Sequence, residues 1–264
     1  MTDPLITLTT DFGYGSAYVA VMKGVILGIN PDARLLDLSH RIPPQDVRHA
    51  AYFLRTAIPY FPRDAIHVIV VDPGVGTERS LLYVEIGPHR LLAPDNGCWT
   101  DLARAVGEPS TIIRLAEPRY WRPEISATFH GRDILAPVAA HLSRGLDARL
   151  LGPPAREWVR LEAPALTLGA DRLVGEVMFI DDFGNLLTNV PGEAFFAWWD
   201  RSVRITVAGH DVRRRVRTYG EAEPGTLVAL VSSGGMLEVA VSQGNAARRL
   251  GARIGAPVEV TILP

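Results

Sequence analysis

The run from Ile66 to Val71 constrains this chain most. It is short, β-branched and apolar apart from His67, and a strand of that kind is buried on both faces. Such a strand needs helices above and below it, and the flanking sequence supplies them. Leu5 to Thr10 reads as a strand. Residues 16–29 read as a helix, with Ser16 as its N-cap and an apolar face through Val19, Met22, Ile26 and Ile29. After Asn30-Pro31-Asp32, Arg34 to Leu38 reads as a second strand, and Asp46 to Phe61 as a second helix. Leu81 to Ile86 and Arg90 to Ala93 are two further strands around Gly87-Pro88, while Trp99 to Val106 and Ile134 to Leu142 read as helices. Strands alternating with helices imply an α/β domain with a largely parallel sheet, here over residues 1–156.

The texture changes near Gly152-Pro153-Pro154. Residues 157–171 read as a linker. From 172 to 264 short strands alternate with turn residues, at 173–180, 186–190, 203–207, 210–216, 226–232, 237–241 and 258–262. That rhythm predicts a smaller all-β barrel domain.

Composition excludes several functions. The 264 residues carry a formal net charge of -2, so no electrostatic case exists for nucleic acid or an anionic membrane. The basic run Arg213-Arg214-Arg215-Val216-Arg217 is short and reads as a solvated hairpin. A single cysteine, Cys98, excludes an internal disulfide and fits a reducing cytoplasm. The seven histidines show no ligand spacing, so no metal site is expected. Met1-Thr2-Asp3-Pro4 does not open a signal peptide, and no apolar stretch is long enough to span a membrane.

What remains is polar chemistry at turns. Ligands in open α/β sheets sit beyond the carboxyl ends of strands, and Asp11 and Asp72 each follow a predicted strand. In Asp72-Pro73-Gly74-Val75-Gly76-Thr77-Glu78-Arg79 the glycine spacing fits no phosphate loop. Asp72 and Arg79 form either a simple ion pair or, with His130 of Thr128-Phe129-His130-Gly131-Arg132-Asp133, a group that holds and polarises water. Arg132-Asp133 fits an ion pair bracing that turn. Asp11 is either a turn residue or a carboxylate for a ribose diol. Asn96, in Ala93-Pro94-Asp95-Asn96-Gly97, reads first as structural and second as a ligand donor. In Asp181-Asp182-Phe183-Gly184-Asn185, the Asn185 amide suits a purine edge and Asp181 an amino group, although a hairpin turn explains both. Ser232-Ser233-Gly234-Gly235 and Gln243-Gly244-Asn245 are further turns. Ala194 to Trp199 is an aromatic segment for the core or a subunit contact.

Five of these segments, in this order, resemble the S-adenosylmethionine (SAM) hydrolase family, also called SAM hydroxide adenosyltransferases, relatives of the fluorinases and chlorinases. They are Thr9-Thr10-Asp11-Phe12-Gly13, Asp72 to Gly76 with Arg79, Ala93 to Gly97, Phe129 to Asp133, and Asp182 to Asn185 with Thr188-Asn189. The resemblance implies an α/β domain followed by a β-barrel, and a homotrimer with sites between subunits. It implies SAM as substrate, adenosine and methionine as products, and no cofactor. Asp72, Arg79 and His130 match the water-handling triad, and Asp11 the ribose carboxylate. Asn185 matches an adenine-binding amide, Asp181 the carboxylate for the methionine amine, with Asp182 as an alternative, and Ser233 the methionine end. Phe183 and Asn96 complete the expected substrate contacts. The halogenating relatives carry Tyr in place of Asp72 and of His130, and an Arg where this chain has Gly234.

The expected reaction is in-line displacement at ribose C5′ by water, with His130 accepting the proton directly or through Asp72. Methionine leaves uncharged, so no general acid is required. The rival readings are a halide-dependent transferase, disfavoured by Asp72 and His130, and a non-catalytic SAM- or adenosine-binding protein.

Overall fold

The computed structural model describes residues 5–264, in two compact units divided between Leu161 and Glu162. The first contains β1 (Leu5–Thr10), α1 (Tyr18–Ile29), β2 (Arg34–Ser39), α2 (Val47–Ala57), β3 (Ile66–Val70), β4 (Leu81–Ile86), β5 (His89–Pro94), α3 (Thr100–Val106), β6 (Thr111–Arg114) and α4 (Ala136–Ser143). One six-stranded sheet runs β2-β1-β3-β5-β4-β6. β2, β1, β3 and β5 are parallel, and β4 runs antiparallel to both β5 and β6.

Every residue of β3 is buried. Val68 and Val70 pack with Met22 and Ile26 of α1 and Ala139 of α4. Ile69 and the following Val71 pack with Leu54 of α2, Leu102 of α3 and Trp99 just before that helix. Alternate side chains thus enter two separate cores, which is why the run is apolar throughout. Each large aliphatic side chain so buried contributes about 1.5–3 kcal/mol.

Several boundaries differ from the sequence expectation. Helix α1 starts at Tyr18, after Ala17, with no side-chain cap. Ser16, the expected cap, donates instead to the Phe12 carbonyl at 3.5 Å. Asp46 does cap α2, accepting the His49 N–H at 2.9 Å. That helix yields at Ile58–Tyr60 to a tighter turn containing Pro59, which has no N–H to continue the ladder. A π-type turn, Gly131–Leu135, precedes α4. Strand β6 escaped the sequence reading, since Ile112-Ile113 is too short an apolar pair to signal a strand.

The second unit contains β7 (Thr167–Leu168), β8 (Arg172–Ile180), β9 (Leu186–Pro191), α5 (Gly192–Phe196), β10 (Val203–Val207), β11 (His210–Asp211), β12 (Arg214–Arg215), β13 (Leu227–Val231), β14 (Met236–Val241), α6 (Ala246–Leu250) and β15 (Pro257–Ile262). Its sheet runs β11-β10-β15-β8-β9-β14-β13-β12, with β7 on β8. The two end strands are joined by only Val212 and Arg213, so the sheet curls back toward itself. Among the described residues no ladder joins β11 to β12, so the expected barrel is a curled open sheet. Nor is the unit all-β. Helices α5 and α6 each bury a side of one turn, through Phe195 and through Ala246 and Leu250. Five residues are too few to establish helical periodicity in sequence. Residues 157–166 carry no helix or strand.

Candidate active site

Strand β3 ends at the sheet's carboxyl edge, and Asp72 follows it by two residues. The chain turns back at once, with the Val75 N–H on the Asp72 carbonyl at 3.2 Å and the Thr77 N–H on the Gly74 carbonyl at 3.1 Å. Gly76 has φ +79, and a Cβ there would stand 2.3 Å from the Ala127 carbonyl oxygen. Only glycine permits that contact, which seats the 72–79 loop on the segment leading to His130. Gly131 lets the His130 turn close on β3, since a Cβ there would lie 2.9 Å from Val70 Cγ1.

The loops bring three predicted residues together. Arg79 Nε donates to both Asp72 carboxylate oxygens at 2.9 Å. Arg79 Nη2 reaches Asp72 Oδ2 as well, and lies 2.9 Å from His130 Nδ1. The Asp72 side chain is 7% exposed and that of Arg79 11%. A guanidinium only donates, so His130 Nδ1 is the acceptor and the ring's proton sits on Nε2. Burial, then the Arg79 charge, holds the His130 pKa below its ordinary 6.5, against the opposing pull of Asp72 and Asp133. The imidazole is therefore neutral at pH 7 and presents an N–H.

Asp133 braces this turn, as its pairing with Arg132 suggested. Its side chain is wholly buried and accepts from Arg132 Nε at 2.6 Å, Arg122 Nη1 at 3.0 Å and the Ser126 N–H at 2.9 Å. Asn96 is used internally. Its Nδ2 donates to the Val71 carbonyl at 2.9 Å and its Oδ1 accepts from the Cys98 N–H at 3.1 Å. It thus anchors the residue before Asp72, its structural reading.

Asp11 leaves β1 next to this group, because Thr10 is the register partner of Val70 across parallel strands. Asp11 Oδ2 accepts the Gln45 N–H at 2.7 Å. Phe12 and Phe129 meet edge to face at 5.6 Å, tying the Asp11 turn to the His130 turn. Sequence reasoning missed the support beneath Asp11. Thr10 Oγ1 lies 2.9 Å from His40 Nδ1, and His40 Nε2 lies 3.0 Å from Asp37 Oδ1. These residues are scattered over 30 positions, and no local pattern links them.

The remaining predicted residues lie in the second unit. Asp181 Oδ1 accepts the N–H groups of Phe183 at 3.0 Å and Asn185 at 2.8 Å, and Asp181 Oδ2 accepts Asn185 Nδ2 at 2.9 Å. Asp181, Asn185 and the 77% exposed Phe183 line a cavity of about 490 Å³, with Tyr219, Val241 and Gln243. Asp182 is exposed beside them. Ser233 is not brought to this cavity. It sits in the exposed turn before β14, whereas Asn185 precedes Leu186, the partner of Val239 late in β14. The two lie toward opposite ends of that strand.

Among the described residues no group of three or more His, Cys, Asp or Glu is placed to hold a metal ion. Nor is any helix there long and apolar enough to cross a membrane.

Residues 6–152 match the family model for the SAM hydroxide adenosyltransferase N-terminal domain, and residues 175–259 that for its C-terminal domain. An (R)-S-adenosyl-L-methionine hydrolase of Thermus thermophilus is 42% identical over 264 residues, covering 95% of this chain and 97% of that protein. A fluorinase of Nocardia brasiliensis is 26% identical over 98% of this chain and 97% of its own. The crystal structure of an uncharacterized conserved protein from Thermotoga maritima superposes with a TM-score of 0.92 at 34% identity, over 97% of this chain and 100% of that one. With both units matched and so close a relative along nearly its whole length, the chain belongs to the SAM hydroxide adenosyltransferase family.

Proposed function

We propose that this protein hydrolyses (R)-S-adenosyl-L-methionine to adenosine and L-methionine, by attack of water on ribose C5′ in line with the departing sulfonium. The observation that carries the reading is the Asp72–Arg79–His130 group at the sheet's carboxyl edge, in a family whose relative at 42% identity is a hydrolase of that substrate.

The charges set the roles. The sulfonium leaves as a neutral thioether, so the reaction releases one proton, and it comes from water. His130 offers Nε2–H and so donates to the water oxygen. The base role therefore passes to the Asp72 carboxylate, which the two-point contact of Arg79 holds in place. Holding water in line with C5′ supplies the orientation advantage. A buried carboxylate at this point would repel a halide, which favours water over chloride as nucleophile.

Asp11 takes the ribose diol and Asn185 and Phe183 the adenine, with Asp181 orienting the Asn185 amide, and Ser233, toward the other end of β14, is left for the methionine. Asn96 serves the site through Val71. The working assembly is a homotrimer, in which a neighbour's second unit completes each site. No cofactor is needed, and the single cysteine, buried and free, fits a cytoplasmic setting. The R configuration comes from the relative's name.

The test is purified protein incubated with each sulfonium epimer, with and without chloride, followed by product analysis. Adenosine and methionine from the R epimer, independent of chloride, are expected. A 5′-halonucleoside would overturn the assignment to water.

A further inference from the structure

The cavity of the second unit has a polar layer beneath its surface that neither Asn185 nor Asp181 explains. Glu238 sits in the middle of β14 and is 3% exposed. A buried carboxylate of this kind is costly unless paired, yet among the described residues no arginine or lysine forms an ion pair with it. Its partner is the Tyr219 phenol, whose hydroxyl donates to Glu238 Oε1 at 2.6 Å. Burial, then this hydrogen bond, raises the phenol pKa, so the tyrosine keeps its proton. Tyr219 in turn lines the cavity with Asn185.

That arrangement fixes the polarity of the wall. A phenol has one hydrogen, and here it is committed to Glu238. Toward a ligand its oxygen offers lone pairs only. Asn185 spends one N–H on Asp181 and keeps its second N–H and its carbonyl oxygen. The cavity thus presents the Tyr219 oxygen and the Asn185 carbonyl as acceptors and the second Asn185 N–H as donor, beside the Asp181 carboxylate, already bonded to Asn185, and the exposed Gln243 amide, which can turn either way. A 6-aminopurine, which carries an N–H2 beside ring-nitrogen acceptors, complements this set. A 6-oxopurine carries an oxygen where the amine would be and sets acceptor against acceptor.

We propose that Tyr219, oriented by Glu238, is a specificity-determining residue that selects a 6-amino over a 6-oxo purine. The inference rests on the proposed function in placing the purine of the substrate in this cavity. Tyr219 touches the base, and Glu238 is a positioning residue that acts through it.

The experiment is calorimetric binding of adenosine and inosine to the full protein, for the wild type, Tyr219→Phe and Glu238→Gln, with hydrolysis of the sulfonium substrate measured alongside. The wild type is expected to bind adenosine at least about tenfold more tightly than inosine, the factor associated with one well-made hydrogen bond. Tyr219→Phe removes the oxygen and should bring the ratio to within about threefold of unity, since a single net bond is at stake. Glu238→Gln puts a neutral amide, able to donate as well as accept, where the charged acceptor stood, so the phenol hydrogen is held less firmly and the ratio should narrow as well, while the ring remains in place. Both variants are close in size to the native residues, and an unchanged circular dichroism spectrum with retained adenosine binding shows that they fold. A wild-type ratio that persists in both variants overturns the inference and leaves the hydrolase reading intact. A wild type that hydrolyses the substrate but binds adenosine and inosine equally also overturns it. A wild type that distinguishes the nucleosides through Tyr219 but hydrolyses nothing supports it and overturns the hydrolase reading instead.

Discussion

The two units meet the same requirement, polar groups held in place, by opposite means. In the first, the polar residues are closed upon one another. Asp72, Arg79 and His130 are mutually bonded, and the first two are almost wholly covered. Asn96, Asp133 and two glycines lock the loops that carry them. In the second, Phe183 stands in solvent, Asn185 keeps one N–H and its carbonyl oxygen free, and the cavity is a recess among turns. Groups that do chemistry must be positioned before the substrate arrives, because misplacement costs rate directly. Groups that recognise can finish their bonds with the ligand. Changes in the first unit should accordingly act on kcat and stability, and changes in the second on KM.

The largest expected break is Asp72→Asn. It removes the proposed base and leaves the Arg79 guanidinium covered without its counter-charge. Turnover should fall by about 10³-fold or more, and folding stability by about 3 kcal/mol, read by steady-state kinetics and urea denaturation. His130→Gln should come next, lowering kcat by about 10²-fold with little change in adenosine binding. An equal loss of binding would make His130 a substrate-holding residue. Gly76→Ala tests the packing beneath the group. Its Cβ would strike the Ala127 carbonyl oxygen at φ +79, which should cost about 2 kcal/mol or more of stability and reduce kcat with it. Asn185→Ala should be the smallest, raising KM about tenfold through one or two lost hydrogen bonds while kcat holds. A kcat loss there comparable to that of His130→Gln would erase the contrast between the units.

The pH dependence sharpens the same contrast. The His130 pKa is depressed in the fold, first by burial and then by Arg79. The neutral ring is thus the form the fold favours. Its contribution to stability and activity is present above 6.5, the unfolded value, and is lost as pH falls through the lower folded value. Protonation would place an N–H against the Arg79 guanidinium. The acid limb of kcat should have its midpoint below pH 6.5, and it should disappear in His130→Gln. A midpoint at or above 6.5 would mean that Arg79 does not face the ring as described.

How far the sequence revealed this follows from the same division. The Ile66–Val71 strand, the α/β alternation and the placement of Asp11 and Asp72 at strand ends were readable because burial on two faces leaves an unbroken apolar run that ends at turn residues. Helices α5 and α6 and strand β6 were not, since elements of four or five residues carry no period. Turn composition suggested the triad and the pairing of Asp72 with Arg79, but not the contact of Arg79 with His130. That Arg79 bridges Asp72 and His130, and so fixes the imidazole tautomer, depends on Gly76 letting two loops touch and on Gly131 letting the His130 turn close on Val70. Tyr219 and Glu238 lie 19 positions apart in unremarkable turn and strand sequence, and only the pairing of β14 with its neighbours brings such residues to one cavity.

The central claim is that Asp72, Arg79 and His130 deliver water to ribose C5′. Turnover of the R-epimeric sulfonium substrate in oxygen-18 water, with mass analysis of both products, tests it most directly. The account predicts adenosine carrying the label on its 5′-oxygen and unlabelled methionine, with label incorporation collapsing in Asp72→Asn. Label on the amino-acid fragment, or 5′-labelled adenosine formed at an undiminished rate by Asp72→Asn, would contradict it.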